Sequence, residues 1–475
     1  MSGAALTPDL CVIGAGAGGL SVASGAAQLG VSVVLVEGGE MGGDCLNSGC
    51  VPSKALLAAA AVAHGRGDGA GFGVGPERAQ IDAARVRAHV REVIAGIAPH
   101  DSQERFEGLG VHVIRDWARF ADPRTIVAGA ATVRPRRIVL ATGGAPAIPP
   151  IPGLPETPHL TNETLFELPG LPASLIVLGG GPIGMEMAQA HARLGVRVTL
   201  LEAARALGRE DEEAAALVVA RLRAEGVDLR EGARVASVAP CAAGVAATLE
   251  AGARIEAERL LVATGRRPAL DRLDPAAGGV EVGPQGVIVD RGLRSVSNRR
   301  VYAIGDAAGP PQFTHRAGHH AGLVIRSALF RLPVRAREDH IPRVTFTDPP
   351  LAQIGLTEAE ARATHGAAMS VARADYAGND RARAMRAGEG FAKAVIGRRG
   401  RILGATVVGA QADELIQPWA LAMSAGLKIG AVAGMVAPYP TLGEVNKRAA
   451  SAHFAPRLFE STTIRAMVQL LAKLG

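Results

Sequence analysis

Two cysteines five positions apart, Cys45 and Cys50, are the residues in this chain best suited to carry chemistry. They sit in Gly42-Gly43-Asp44-Cys45-Leu46-Asn47-Ser48-Gly49-Cys50-Val51-Pro52-Ser53-Lys54. With a glycine between them, a bend of the backbone lets the two sulfurs close a small disulfide. Pro52 and the Ala/Leu-rich run after it predict the first turn of a helix. A helix start favours negative charge, so it lowers the pKa of Cys50 and stabilises a thiolate. A thiolate beside a second thiol can exchange two electrons with a redox partner placed against it.

Such a pair needs a scaffold, and the chain carries one twice. The first copy is Cys11-Val-Ile-Gly14-Ala-Gly16-Ala-Gly-Gly19, running through Gln28-Leu29-Gly30-Val31 to Val33-Val-Leu-Val-Glu37. The second is Ile176-Val-Leu-Gly179-Gly-Gly181-Pro-Ile-Gly184, running through Arg193-Leu194-Gly195-Val196 to Val198-Thr-Leu-Leu-Glu202. Each reads as a strand, a glycine turn, an Ala-rich helix and a second strand ending in an acid. The first glycine permits the tight turn, the second lets a pyrophosphate approach, and the third lets helix and strand pack closely. The pyrophosphate then rests on the helix N-terminus, and the acid accepts from ribose hydroxyls. Two copies in the same context make a strong signal for two dinucleotide sites.

Further along, Arg137-Ile-Val-Leu-Ala141-Thr142-Gly143-Gly144 and Arg259-Leu-Leu-Val-Ala263-Thr264-Gly265-Arg266-Arg267-Pro268 are apolar strands ending in Ala-Thr-Gly. They read as strands that close each nucleotide domain. Pro149 to Pro158 reads as a linker, and Val301-Tyr-Ala-Ile-Gly305-Asp306 as a strand whose terminal Asp can accept from sugar hydroxyls. From about residue 341 the pattern changes to short strands (Val344–Thr347, Phe391–Ile396, Ile402–Val408) and helices (Leu415–Ala425, Gly443–Ala450), a third, α+β domain. The expected division is 1–150 and 269–340 for the first nucleotide domain, 151–268 for the second, and 341–475 for the third.

Composition bounds the rest. The 475 residues suit about three domains. With 48% hydrophobic but only 3% aromatic residues, the core must rest on Ala, Val, Leu and Ile. The net charge of +6 comes from arginines scattered among acids, a solvated surface rather than a nucleic-acid footprint. Four cysteines (Cys11, Cys45, Cys50 and Cys241) are too few for a secreted disulfide framework, and one close pair suits a catalytic disulfide in a reducing compartment. No signal peptide is read at the N-terminus, and no apolar run is read as spanning a membrane without charge or glycine interruption. The expectation is a soluble cytoplasmic protein without membrane or nucleic-acid partners.

Over nearly its full length the chain resembles the flavin-dependent pyridine nucleotide–disulfide oxidoreductases, which include dihydrolipoamide dehydrogenase, glutathione reductase and mercuric reductase. The order of motifs is that family's. The GGDC form, Phe313-Thr314-His315, Thr345-Phe-Thr-Asp348-Pro349 and Tyr439-Pro440-Thr441 look most similar to the mercuric reductase-like branch. The resemblance implies an α/β fold of two Rossmann-like domains, for FAD and NAD(P), and a C-terminal domain that pairs two chains. It implies that Cys45 is the interchange thiol and Cys50 the charge-transfer thiolate against the flavin. It pairs Lys54 with Glu186 beside the flavin. Gly14, Gly16, Gly19 and Glu37 would bind FAD, with Gly43, Asp44, Thr142, Gly143, Asp306 and Thr314 contributing. Gly179, Gly181, Gly184, Glu202, Gly265 and Arg266 would bind the nicotinamide coenzyme. Glu202 argues for NADH, since a carboxylate repels a 2′-phosphate. Arg209 falls where NADPH-using relatives place one phosphate-binding arginine, while the other such position is Ala203; NADPH stays open.

The chain also departs from that pattern. Disulfide reductases of the family usually carry a His before Pro-Thr near the C-terminus, oriented by a Glu. Here the Glu is Glu444, but the His position is Tyr439, a poor base near neutral pH because its reference pKa is about 10. Mercuric reductase also lacks that His, yet relays Hg(II) through a vicinal cysteine pair near its C-terminus, and this sequence shows none there. His315, His319 and His320 read as packing residues, and no metal site is expected. The leading expectation is an NAD(P)H-dependent FAD enzyme that reduces a small or protein-bound disulfide through Cys45 and Cys50, as a homodimer in which Tyr439 and Glu444 serve the opposite chain. Soft-metal reduction and service to a dedicated lipoyl or thioredoxin-like carrier are the alternatives, and a quinone-reducing activity of the flavin, independent of Cys45, is a further one.

Overall fold

The computed structural model describes residues 4–67, 69–75, 77 and 79–474. In chain order, β1 (Leu10–Ile13), α1 (Ala17–Gln28) and β2 (Val33–Val36) form the first repeat unit. There follow α2 (Cys50–Gly65), β3 (His112–Ile114) and β4 (Arg137–Leu140). The second unit is β5 (Ser174–Leu178), α3 (Pro182–Arg193) and β6 (Arg197–Leu201), continued by α4 (Glu212–Ala224), β7 (Asp228–Arg230) and β8 (Arg259–Val262). Next come β9 (Val301–Ala303) and α5 (Thr314–Ala328). The last sheet holds β10 (Arg343–Thr345), β11 (Leu351–Gly355), β12 (Ser370–Asp375), β13 (Phe391–Ile396) and β14 (Ile402–Val408), and α6 (Glu444–Ala452) packs beside it.

Two of the sheets are parallel, with strand orders β9-β4-β1-β2-β3 and β7-β6-β5-β8. Their central strands, Leu-Cys-Val-Ile, Val-Val-Leu-Val and Ser-Leu-Ile-Val-Leu, are buried at every position. A parallel strand covered on both faces needs such an unbroken apolar run, which explains why these segments do not alternate. In each sheet the turn after the first strand (β1, β5) lies where the strand order reverses, the place where open α/β sheets leave a crevice. The third sheet, β10-β11-β14-β13-β12, is antiparallel. Its core gathers Trp419, Tyr376 and Ile354, and Trp419 Nε1 donates to Asn446 Oδ1 at 2.9 Å, which satisfies its one buried polar atom.

Several expectations need correction. The helix after the cysteine loop begins at Cys50 itself, with Gly49 as its N-cap, not at Pro52. The third domain has two strands beyond those read, β11 and β12. The first follows Pro349-Pro350 and looks like a turn; the second is an edge strand with Ser, Arg and Asp along it, so its apolar signal is weak. The helix expected over Leu415–Ala425 is two, Ala412–Leu415 and Gln417–Ser424, because Pro418 has no N–H and belongs in a first turn. Finally, among the described residues one segment, Gly43–Gly65, is long and apolar enough to cross a membrane by length and composition. In the fold it is two helices separated at Ser48–Gly49, and it carries both cysteines.

Candidate active site

The two repeat units build their turns with the same hydrogen bonds. Gly14 and Gly179 adopt φ of 104° and 105°, a region that L side chains resist. A Cβ on Gly19 would lie 1.9 Å from the Gly14 oxygen, and one on Gly184 would lie 1.9 Å from the Gly179 oxygen. Neither helix could seat against its strand with a side chain there. The middle glycines are different. A Cβ on Gly16 or Gly181 would meet no protein atom within 4 Å, and both residues line one cavity. Each is the N-cap of its helix with no side-chain cap hydrogen bond, so the N–H groups of the first turn face that space. The residues present fit a phosphate.

The terminal acids complete the match. Glu37 accepts from Ala15 N and Gly39 N, both at 2.6 Å, and Glu202 accepts from Gly180 N at 2.7 Å and Ala204 N at 2.8 Å. Each carboxylate pins its turn and stands at the cavity wall. Thr142 and Gly143 follow β4 beside the Gly14 turn, as Thr264 and Gly265 follow β8 beside the Gly179 turn, and all four line the cavity. Thr264 Oγ1 donates to Ala147 O at 2.9 Å, whereas Thr142 Oγ1 is buried without a partner. A buried hydroxyl left orphaned at a cavity wall marks a place where a bound molecule completes the pairing. The cavity, about 3290 Å³, reaches from one cradle to the other and is several times a usual small-molecule pocket. Two extended dinucleotides fit the residues present.

Between the cradles lies the cysteine loop. Asn47 Nδ2 donates to Met41 O (3.0 Å) and Gly43 O (2.9 Å), which draws the loop closed. Asp44 Oδ1 accepts from Ser48 Oγ and Asn162 Nδ2, each at 2.8 Å. Cys50 opens α2, faces the cavity and lies 3.4 Å from Thr314 Oγ1. The two thiols hydrogen-bond one another. That bond, helped by the Thr314 hydroxyl and the Lys54 charge and opposed by burial, holds Cys50 down to about 6. The same bond and burial push Cys45 upward. Both directions favour the proton on Cys45 and the negative charge on Cys50.

Lys54 lies one turn along α2. Its Nζ is 2.8 Å from Glu186 Oε2 and 4.2 Å from the centre of the Phe346 ring. Glu186 is buried at 4% exposure, and its Oε1 accepts from Phe346 N at 2.9 Å. Arg266 joins the loop to the end of β9: NH1 is 3.0 Å from Asp44 Oδ2, Nε is 3.6 Å from Asp306 Oδ2, and NH2 donates to Gly144 O at 2.9 Å. Burial raises the pKa of Asp306, against the pull of Arg266.

One chain thus brings together the cysteines, Lys54, Glu186, Thr314, Asp306 and both cradles. It does not bring Tyr439 or Glu444, neither of which lines the cavity. Tyr439 is 70% exposed, and its hydroxyl donates to Asp380 Oδ2 at 3.2 Å. The Asp380 carboxylate pushes the phenol's pKa above its ordinary value. Glu444 Oε2 is buried and unpartnered. Of the histidines, His315 is exposed and stacks on Phe313, His319 lies edge-on to His340, and His320 is fully buried. Among the described residues, no group of His, Cys, Asp and Glu is arranged to hold a metal ion.

Three contributors escape sequence reasoning. Trp117 lies against Gly38, beneath the Arg272 guanidinium at 4.2 Å, and lines the Glu37 end of the cavity. It is one of only two tryptophans, which is the one clue the sequence offers. Phe346 supplies both an N–H and a ring to the Lys54–Glu186 pair. Arg316, 4% exposed, donates to Gly305 O, Gly309 O and Pro311 O and pairs with Glu338, fixing the loop that carries Asp306. Nothing in its sequence surroundings separates Arg316 from other helical arginines.

Known proteins resemble this chain in sequence and fold. Residues 8–321 match the family described as pyridine nucleotide-disulphide oxidoreductase, and residues 341–450 match that family's dimerisation domain. The chain is 36% identical over 453 residues to a mercuric reductase of Streptomyces lividans, covering 93% of this chain and 95% of that one. It is 36% identical over 466 residues to a dihydrolipoyl dehydrogenase of Thermus scotoductus, covering 94% and 97%. Among solved structures, the HOCl-induced flavoprotein disulfide reductase RclA from Escherichia coli superposes with a TM-score of 0.83 at 29% identity, covering 93% of this chain and 99% of that one.

Proposed function

The chain belongs to the pyridine nucleotide-disulphide oxidoreductases, and on that premise we propose that Cys45 and Cys50 pass electrons to a disulfide. That it is an FAD-dependent NAD(P)H oxidoreductase acting on sulfur groups follows from the family; the choice of residues and substrate is ours. The observation that carries the reading is the placement of Cys50 at the start of α2, on the cavity wall, 3.4 Å from Thr314 Oγ1, where the hydrogen bond from Cys45 favours a thiolate on Cys50. Bound FAD and NAD(P)H supply the two electrons that restore the dithiol after each turnover.

In the proposed cycle Cys45 gives its proton to Cys50, its hydrogen-bonded neighbour, and its sulfur attacks the substrate disulfide. A mixed disulfide forms and one substrate thiolate departs. That thiolate takes the proton from Cys50, whose sulfur then attacks Cys45 Sγ and releases the second thiolate. Two electrons have moved from the cysteines to the substrate. The hydrogen bond from Cys45, helped by the Thr314 hydroxyl and the Lys54 charge, favours the Cys50 thiolate, and Glu186 fixes Lys54. Tyr439 and Glu444, outside this chain's cavity, would assist from the opposite chain of a twofold dimer, consistent with the dimerisation domain. A substrate whose thiol leaves easily suits a tyrosine in that place.

We divide the chain into an FAD domain (1–150 and 269–340), an NAD(P) domain (151–268) and an interface domain (341–475); the grouping of strands into three main sheets supports this. NADH is the favoured coenzyme, with Glu202 at the cavity wall and Ala at 203. Arg205, three residues after Glu202, is paired with Glu212 at 2.6 Å. The cytoplasm, where thiols stay reduced, suits such a pair.

Turnover with NADH and NADPH is measured on lipoamide, glutathione disulfide, other small disulfides and Hg(II), with Cys45→Ser in parallel. Turnover on a disulfide that the variant loses is expected. Turnover on Hg(II) alone would replace this reading with soft-metal reduction, the activity named for the Streptomyces relative. Silence on every small substrate, with flavin and disulfide still reducible, would point to a protein-bound dithiol.

A further inference from the structure

Helix α3 presents three polar residues on one face, Glu186, Gln189 and Arg193, spaced three and four apart. All three grip the same short loop, Phe346 to Asp348, which leads out of β10. Glu186 Oε1 accepts from Phe346 N at 2.9 Å. Gln189 uses both ends of its amide on one residue's backbone: Oε1 accepts from Asp348 N and Nε2 donates to Asp348 O, each at 2.8 Å. Arg193 NH2 reaches Asp348 Oδ2 at 2.9 Å. Behind them stands Glu225, which accepts from Arg193 at 2.6 and 2.8 Å and from Gln189 at 3.2 Å, with His64 of α2 at 3.9 Å.

A primary amide paired to both backbone groups of one residue fixes position along the chain as well as distance. A slip of one residue toward the C-terminus would offer Pro349, which has no N–H to donate, and would break the pairing. Gln189 is 1% exposed, so neither bond can be replaced by water without cost. Two residues before Asp348, the loop delivers the Phe346 N–H to Glu186 and the Phe346 ring to Lys54. Lys54 is then held between a carboxylate and an aromatic face.

We propose that Gln189 is a positioning residue for the cysteine pair: by fixing the register of the 346–348 loop it holds Phe346, Glu186 and Lys54 in the arrangement that places a positive charge beside Cys50. This rests on the reading of Cys50 as the resting thiolate. The groups that face Cys50 are Cys45 and Asp44 from the short helix before it, Lys54 from its own helix and Thr314 from α5. Of these only Lys54 depends on the loop, so displacement of the loop moves one identifiable contribution.

The test uses the FAD-loaded dimer, reduced, with wild type, Gln189→Leu and Phe346→Leu compared. Alkylation of Cys50 by iodoacetamide is followed against pH by peptide mass spectrometry, along with the long-wavelength thiolate–flavin absorbance. In Gln189→Leu the thiolate fraction at pH 6 falls about threefold, and both readouts move to higher pH together. Phe346→Leu keeps the N–H but removes the ring, and shows a smaller change of the same sign. FAD content and dimer mass confirm that each variant is folded; if Gln189→Leu fails to fold, Gln189→Met, nearly isosteric and without either bond to Asp348, carries the test. A folded variant whose two titrations coincide with wild type overturns the proposal. A wild type whose Cys50 alkylates as an ordinary thiol overturns the reading of Cys50 itself, and the two failures are told apart by that one trace.

Discussion

The two nucleotide cradles correspond residue for residue at a displacement of 165 positions, and the correspondence outlasts the glycine motif. Ala15 and Gly180 donate to the acids Glu37 and Glu202. The same two residues then accept, through their carbonyls, from Gly42 N at 3.0 Å and Leu207 N at 2.8 Å. Gly42 and Leu207 both adopt positive φ, 86° and 50°. From the next residue the copies part. In the first, Gly43-Asp44-Cys45 folds back over its own cradle, so closely that a Cβ on Gly43 would lie 2.8 Å from Gly16 Cα. In the second, Gly208-Arg209-Glu210 runs on to Asp211, which caps α4. The proposed binding rests on what the copies share, and the proposed electron chemistry on what only the first has.

This comparison can be broken most sharply at the cysteines. Cys45→Ser lowers NAD(P)H-driven disulfide reduction at least about 10³-fold. Ferricyanide reduction by the same preparation, which needs both cradles and no thiol, persists; steady-state rates on the two acceptors check it. Loss of both together would mean that the cradles and the cysteines cannot be separated.

Next come the middle glycines, where a side chain enters open cavity rather than protein. Gly16→Val purifies without FAD, whereas Gly181→Val keeps FAD and raises the coenzyme KM by about 100-fold, the cost of blocking a backbone–phosphate approach. Absorbance at purification and coenzyme titration separate the two. Glu202→Ala shifts the ratio of NADPH to NADH efficiency upward by about tenfold, measured as kcat/KM for each coenzyme; the matching change at Glu37 leaves that ratio alone. The smallest signal is in pH. With Cys50 held near 6, its alkylation rate changes by less than about 1.2-fold between pH 7 and 8. A thiol at its ordinary value would change about eightfold over that interval.

Most of this was legible in the sequence because both cradles are local. The Gly14-to-Glu37 and Gly179-to-Glu202 stretches carry their own turn, helix and acid, so pattern alone places them. Lys54 and Cys50 share one helix, so their proximity follows from helical spacing. What sequence reasoning missed is long-range. Phe346 reaches Lys54 from the start of the third sheet, Trp117 reaches Gly38 through a strand connection, and Arg316 gathers three carbonyls from a loop. In each case the residue type is ordinary, and only the fold brings its partners close. The strands β11 and β12 were missed for a different reason: prolines disguise the start of one, and an exposed edge gives the other a polar face. Motif spacing singles out Tyr439 and Glu444, but the folded chain keeps both out of its own cavity.

The chain's two tryptophans stand in opposite settings. Trp419 is sealed in the third sheet's core, while Trp117 stands half-exposed at the Glu37 end of the cavity. The protein therefore carries two built-in optical reporters with separate subjects. Emission from Trp117, quenched when a nucleotide occupies that end, follows loading of the first cradle. Emission from Trp419 stays constant until the third domain itself opens. A single fluorescence trace during unfolding can thus time the departure of the cofactor against the loss of the interface domain, with no label attached.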